Sequence, residues 1–314
     1  MKVVNTLHVC LLVVAAALPA AAQAPAVFEK PAAPGQLVDI DNGRRLHILC
    51  KGDADGPTVI FEAGLSQYPP SLTYGKAQEA IALFARVCIY DRAGLGWSDA
   101  GPSARTHGDM VEDLHRLLAA AKVPAPYVLV GHSMGGLLVR QFAQAYASEV
   151  AGVVLADATP DTIFDAESIA ARAAIVEKID KGLAKAAPGV PVVALPAGTS
   201  PEIVISLLPE ILRTVKEEYE AIDRAPAALR VRDGYGALGA IPLVVVRRGR
   251  EATPPSDADL SWRRDQEHLA TLSTNSVLIV AEKNGHVIPY ENPAIIADAV
   301  RRVIDAWRTG GRVK

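Results

Sequence analysis

The stretch "YVLVGHSMGGLLVRQFA", residues 127–143, decides how the chain is read. A β-branched apolar segment runs into two glycines around a serine and continues at once in helical periodicity. Gly131, Ser133 and Gly135 form G-x-S-x-G, a pattern that carries meaning only in context, and here a strand feeds it and a helix leaves it. A serine hydroxyl is a poor nucleophile in water, so it must be held clear of the backbone, against a base and facing a carbonyl. A strained turn does this, provided the flanking residues lack a Cβ that would collide with the crossing strand and helix. The helix starting at Met134 also aims amide donors and the positive end of its dipole at the place where an oxyanion would form. Ser133 is thus the candidate nucleophile, and the plain alternative is a glycine turn that merely packs a helix closely on a strand.

Outward from this turn, strand and helix patterns alternate. Strands are expected at 36–40, 44–50, 58–63, 86–90, 127–131, 151–156, 242–247 and 277–281, several as unbroken apolar runs of the kind that parallel strands covered on both faces require. Helices are expected at 74–85, 106–121, 134–146, 258–273 and 293–308. The βαβ order implies a mostly parallel eight-stranded sheet with helices on both faces and right-handed crossovers. The interval between the sixth and seventh strands is too long for one crossover. Its helical segments near 165–187, 201–218 and 219–231 read as a cap, residues 159–240, inserted over the carboxyl edge of the sheet, so that 36–158 and 241–314 form the core.

The 314 residues are half apolar and 21% charged, with a formal charge of −3, a balance that supports a sizeable core and gives no reason to expect a nucleic-acid partner. The chain begins with one lysine, an apolar run from Val9 to Leu18 and then small residues, the pattern of a signal peptide over 1–22 cut after Ala22, with a flexible lead-in over 23–35. Export to the periplasm or medium is expected, with no stable membrane insertion after cleavage, because the apolar run is short for about 30 Å of hydrocarbon. Cys10 leaves with the leader, and Cys50 and Cys88 meet an oxidising compartment.

A base should follow the serine late in the chain. Of seven histidines, His8 lies in the leader, His47 in a strand, and His107, His115 and His268 on helices, while His132 points away from Ser133 as its direct neighbour. His286 differs: it follows the last strand in "EKNGHVIPYENP", a loop bracketed by Gly285 and by Pro289 and Pro293. No histidine and cysteine cluster has metal-ligand spacing, so neither a metal nor an organic cofactor is implied.

With these residues in hand, the chain resembles the α/β-hydrolase superfamily over residues 37–308, on "FEAGLS", "YDRAGLGWSD", "GHSMGG" and "NGH". The resemblance implies a second strand beside the fourth, hence a disulfide between Cys50 and Cys88, and an oxyanion hole from the backbone amides of Leu65 and Met134. "FEAG" stands where the family commonly has His-Gly, a change that a backbone donor tolerates. The acid departs from the commonest family pattern, since the position three residues after Gly249 is Ala252. Glu251 is one residue early and crowded by Arg247, Arg248 and Arg250, which suggests a structural ion pair. Asp157 ends the sixth strand beside the elbow strand, where some family members carry the acid, and a carboxylate ending a buried strand needs such a reason. Asp157 is therefore the expected acid, with Glu251 as the alternative and a turn cap as the bland reading.

Ser133, His286 and Asp157 imply acyl transfer, and a serine at the elbow argues against the aspartate chemistry of dehalogenases and epoxide hydrolases. Tyr68, Trp97, Phe164 and Ile288, with Met134, are expected to line an apolar pocket, which points to a small hydrophobic ester and a carboxylesterase. An aminopeptidase, a lactonase or a carbon–carbon bond hydrolase would use the same residues, and a ligand-binding protein without turnover would keep the same fold.

Overall fold

Eight strands form one sheet: β1 Gln36–Asp41, β2 Arg44–Lys51, β3 Thr58–Glu62, β4 Val87–Tyr90, β5 Tyr127–His132, β6 Val150–Ala156, β7 Leu243–Arg248 and β8 Ser276–Ala281. The structure, a computed structural model, describes residues 32–314 apart from 54, 66–68, 189–190, 192–203, 205–206 and 231–233. The expected leader and most of the lead-in therefore lie outside the described residues. The strand order is β1-β2-β4-β3-β5-β6-β7-β8. β1–β2 and β2–β4 are antiparallel and the remaining pairs are parallel. Each strand agrees with its sequence expectation to within a residue or two; in β3, β5 and β6 the apolar runs are buried on both faces and have no competing period.

That burial divides the interior into two layers. One face of the sheet, with Ile60, Leu129 and Leu155, packs against α3 (His107–Ala120) and α4 (Gly135–Ala145), through Leu114, Leu117, Leu138 and Phe142. The other face, with Val59, Phe61, Val128 and Val130, packs against α1 (Pro70–Thr73), α2 (Gly75–Ala82) and α9 (Pro293–Thr309). Alternation of side chains along each strand sends neighbours to opposite layers. The β2–β4 register sets Cys50 directly opposite Cys88, and the two are joined by a disulfide.

The segment between β6 and β7 carries α5 (Ala166–Leu183) and α6 (Pro209–Asp223). Here the sequence reading needs correction: one helix crosses the expected break between 218 and 219. Pro209 starts it, where a missing N–H costs nothing, and Pro226 stands just beyond its end. α5 and α6 share a small apolar cluster of Ile179, Leu208, Ile211, Leu212, Val215 and Tyr219, into which Leu95 inserts from the loop after β4. α7 (Asp257–Ala270) follows β7, opened by a Ser256–Asp259 capping box, and α8 (Ile288–Glu291) follows β8. None of the described helices is long and apolar enough to cross a membrane.

Candidate active site

Ser133 directly follows β5 with φ +51°, a left-handed conformation that a residue with a side chain adopts only under constraint. The constraint is visible in the glycines. A Cβ on Gly131 would lie 2.6 Å from the Gly135 carbonyl oxygen, and one on Gly135 would lie 2.2 Å from that of Glu62. The turn is also tied to the neighbouring strand: the Ser133 N–H donates to the Ala156 carbonyl at 3.3 Å, and the Thr159 N–H donates to the Ser133 carbonyl at 2.9 Å. Asp157, between those two positions, also has a positive φ of +44°. Two adjacent parallel strands thus end in two strained residues at one edge of the sheet.

Asp157 is fully buried and its carboxylate receives four donors. Oδ1 accepts from the Arg248 backbone N–H and from Trp262 Nε1, each at 2.9 Å. Oδ2 accepts from Arg248 Nη1 at 2.8 Å and from His286 Nδ1 at 2.7 Å. Burial alone would raise this carboxyl, but the His286 hydrogen bond, the charge on His286 and the Arg248 guanidinium outweigh it and bring it down to about 2. Because a carboxylate can only accept, His286 carries its proton on Nδ1, which makes Nε2 the basic nitrogen. The guanidinium of Arg248 lies over the Trp262 ring, 4.4 Å from its centroid, and the Trp262 and His286 rings meet edge to face at 5.9 Å.

His132 braces the histidine from the other side. Its Nε2–H donates to the His286 carbonyl at 2.9 Å, its Nδ1 accepts from the Tyr74 hydroxyl at 2.9 Å, and its ring centre lies 4.9 Å from that of His286. This arrangement suits only a neutral ring, and burial followed by the charge of His286 holds His132 down at about 3. The direct neighbour of the serine therefore locates the loop that carries His286.

The loop after β3 lies directly on the elbow: a Cβ at Gly64 would come within 2.9 Å of Ser133 Cβ and 3.1 Å of His132 Nδ1. Leu65 follows Gly64, and Met134, the cap residue of α4, follows Ser133, so the two residues expected to supply the oxyanion amides come from the two segments that meet here. The loop is fixed from below by Arg92, of the "YDRAGLGWSD" stretch. Its guanidinium donates to the carbonyls of Ala63 at 2.6 Å and Gly64 at 2.7 Å, and pairs with Glu62 at 2.7 Å and with Glu218 of α6 at 2.6 Å. Burial raises the Glu62 carboxyl and Arg92 opposes it; we read the group as a buried carboxylate held between that cation and the Tyr90 hydroxyl.

The structure brings Asp157, and not Glu251, to His286. Glu251 is turned to Arg263 at 2.8 Å and to Arg247 at 3.3 Å, the structural ion pair that its crowded sequence suggested. Ser133 and His286 open on one cleft of about 670 Å³ between the segment after β6 and the first turns of α7, lined also by Thr159, Ile163, Ser168, Arg248, Ser256 and Trp262. The expected pocket lining is corrected. Trp97 packs against His47, Phe164 stacks on Tyr235, and Ile288 has no exposed surface in the core beneath α9. Tyr68 lies outside the described residues. Composition marked these four as apolar but could not say which side of an element faces the cleft. Arg248, Trp262, His132 and Tyr74 were missed in these roles, and only the direct adjacency of His132 to the serine could have pointed to one of them.

Comparison with known proteins agrees with this fold. Residues 57–186 match the family described as the alpha/beta hydrolase fold. The chain is 27% identical over 266 residues to the uncharacterized protein YqjL of Bacillus subtilis, covering 85% of this chain and 89% of that protein. An uncharacterized protein of Schizosaccharomyces pombe is 35% identical over 153 residues; the match covers 40% of this chain, which spans 28% of that protein. Among solved structures, a thermophilic esterase from Thermogutta terrifontis aligns with a TM-score of 0.60 at 21% identity, covering 86% of this chain and 97% of that chain.

Proposed function

This chain belongs to the alpha/beta hydrolase superfamily, and we propose that it is a serine hydrolase that cleaves carboxylic esters through a Ser133–His286–Asp157 triad. Ser133 Oγ attacks the ester carbonyl while His286 Nε2 takes its proton, and Asp157 stabilises the imidazolium. The amides of Leu65 and Met134 receive the oxyanion. The tetrahedral intermediate collapses with loss of the alcohol, which recovers the proton from His286, and water then repeats the sequence on the acyl-enzyme to release the acid. The observation that carries this reading is that the strained Ser133 and the Asp157-bound His286 share one cleft. The described walls of that cleft combine hydroxyl-bearing and charged side chains with Pro160, Ile163, Ala252, Ala258 and Trp262, a mixed lining compatible with a hydrophobic ester.

The test is labelling of the purified protein with a fluorophosphonate probe, together with hydrolysis of p-nitrophenyl esters of rising acyl length. Both are expected in the native chain, and both are expected to vanish in Ser133→Ala. Absence of labelling in the native chain would favour a ligand-binding protein without turnover.

We also propose export with loss of residues 1–22, a reading with which the Cys50–Cys88 disulfide is compatible. Thiol titration of the denatured, unreduced protein distinguishes the cases. No reactive thiol is expected after cleavage and one, Cys10, if the leader is retained; two or more would refute the disulfide.

A further inference from the structure

We propose that Arg248 is a positioning residue of the triad, one that holds the Asp157 carboxylate in line and tempers its attraction for the imidazolium that forms on His286 during turnover. The inference rests on the triad reading above. Its observations are that one oxygen, Asp157 Oδ2, accepts from both His286 Nδ1 at 2.7 Å and Arg248 Nη1 at 2.8 Å, and that the Arg248 guanidinium is pinned over the Trp262 ring. Arg248 is the last residue of β7, and its own backbone N–H takes the other carboxylate oxygen. At the end of the strand where the commonest family pattern would lead into an acid, this chain has a cation that serves the acid on β6.

The consequence for His286 has a definite sign. Asp157 favours the protonated imidazole, because an opposite charge in contact stabilises it. Arg248 opposes that effect. Donating to the same oxygen, the guanidinium lies within about 6 Å of His286 Nδ1, where two positive charges repel appreciably through a partly buried medium. Other ionisable groups stand around the pair. They are His132 from β5, itself held neutral, Arg250 and Glu251 after β7, Asp259 on α7, and Glu291 beyond the histidine loop. Glu251 is paired with Arg263 and Arg247, Asp259 caps α7, and Glu291 accepts from the Gly285 N–H, so among the described groups Arg248 is the cation in contact with the triad acid. The guanidinium thus offsets part of the pull of Asp157 on an imidazolium, and its removal leaves that pull unopposed.

The experiment is the pH dependence of fluorophosphonate labelling of Ser133 and of kcat/KM on a p-nitrophenyl ester, for the native protein, Arg248→Met, Arg248→Lys and Trp262→Phe. Arg248→Met removes the charge, and its acidic limb is expected about one pH unit higher. Arg248→Lys retains the charge and is expected within a few tenths of the native limb, with a lower plateau because an ammonium cannot stack on Trp262 or keep the same fork. Trp262→Phe removes a neutral donor and is expected to move the limb by less than half as much. Should Arg248→Met fail to fold, Arg248→Gln, which keeps a donor for Oδ2, is expected to give the same upward displacement. A limb that stays in place while the plateau falls, or equal displacements in Arg248→Met and Trp262→Phe, would overturn the proposal in favour of simple packing. Absence of labelling in the native protein would instead defeat the triad reading itself.

Discussion

Asp157→Asn is expected to lower kcat by about 10⁴-fold, the magnitude that loss of a triad acid produces when the base is left in the wrong tautomer, with KM changed only a few-fold. The reason is a mismatch of donors. Asp157 faces four N–H groups, from His286, Trp262, and the backbone and guanidinium of Arg248. A carboxylate satisfies all four, whereas an amide offers one accepting atom and turns two donors of its own toward the others. If the amide oxygen serves Trp262 and the Arg248 N–H, the amide nitrogen faces His286, which must move its proton to Nε2 and lose its basic atom. If the amide is flipped, two buried donors are orphaned, at about 1–3 kcal/mol each. Glu251→Gln, by contrast, is expected to keep kcat within about threefold and to act on stability, because its carboxylate is engaged by Arg263 and Arg247. Steady-state kinetics on both variants, at a temperature where melting curves show each folded, decide the matter. Near-native turnover in Asp157→Asn together with collapse in Glu251→Gln would reverse the assignment.

The second large effect concerns stability in acid. His107 and His132 are both buried, and burial, the first cause in each case, holds both at about 3 rather than 6.5. His107 accepts from or donates to the Tyr235 hydroxyl at 2.6 Å, and its Nε2 is buried without a partner among the described residues. Below about pH 6.5 the unfolded chain binds two protons that the folded chain refuses, so stability falls as the pH falls, down to about pH 3. Each proton contributes a slope of about 1.4 kcal/mol per pH unit, and together the two remove about 5 kcal/mol between pH 6 and pH 4. That is comparable with the whole stability of an ordinary domain, about 5–15 kcal/mol. Asp157 acts in the same direction at lower pH, since its stabilising ionised form is lost only as the pH falls from about 4 toward 2. The expected result is a steep drop in the denaturant midpoint below pH 6 and unfolding near pH 4. The pair of changes His107→Phe and Tyr235→Phe, which removes the polar contact and keeps the ring volume, is expected to halve the slope. A midpoint that stays level from pH 7 to pH 4 would contradict this account.

Much of the architecture was legible in the residues because its signals are local. A run such as "TVIFEA" or "AGVVLA" is continuous in apolar side chains, and a strand buried on both faces requires that continuity. Ser133, His286 and Asp157 were legible because each closes or follows a strand at the same edge of the sheet. The rest depended on approaches between distant parts of the chain. Arg248 reaches across 91 positions to Asp157, and Trp262 across 105, and nothing in "VVVRRGRE" or "LSWRRD" marks them as partners of that carboxylate. Trp97, Phe164 and Ile288 failed as lining residues for the opposite reason: apolar character is common to a cleft wall and a core, and the packing of Phe164 on Tyr235 is set by a contact that the local sequence does not encode. The boundary inside the cap slipped because helical periodicity runs unbroken through residues 209–223.

The Arg92 guanidinium ties the position of α6 to that of the loop after β3. One side of it grips Glu218 on α6, and the other grips the carbonyls of Ala63 and Gly64, one residue short of the amide at Leu65. Lifting that helix would strip a buried cation of one counter-ion, or else drag the bracket under the loop along with it. Whatever displaces α6 therefore also bears on the backbone beside Leu65, so the helix and the turn over the serine are expected to keep their places together.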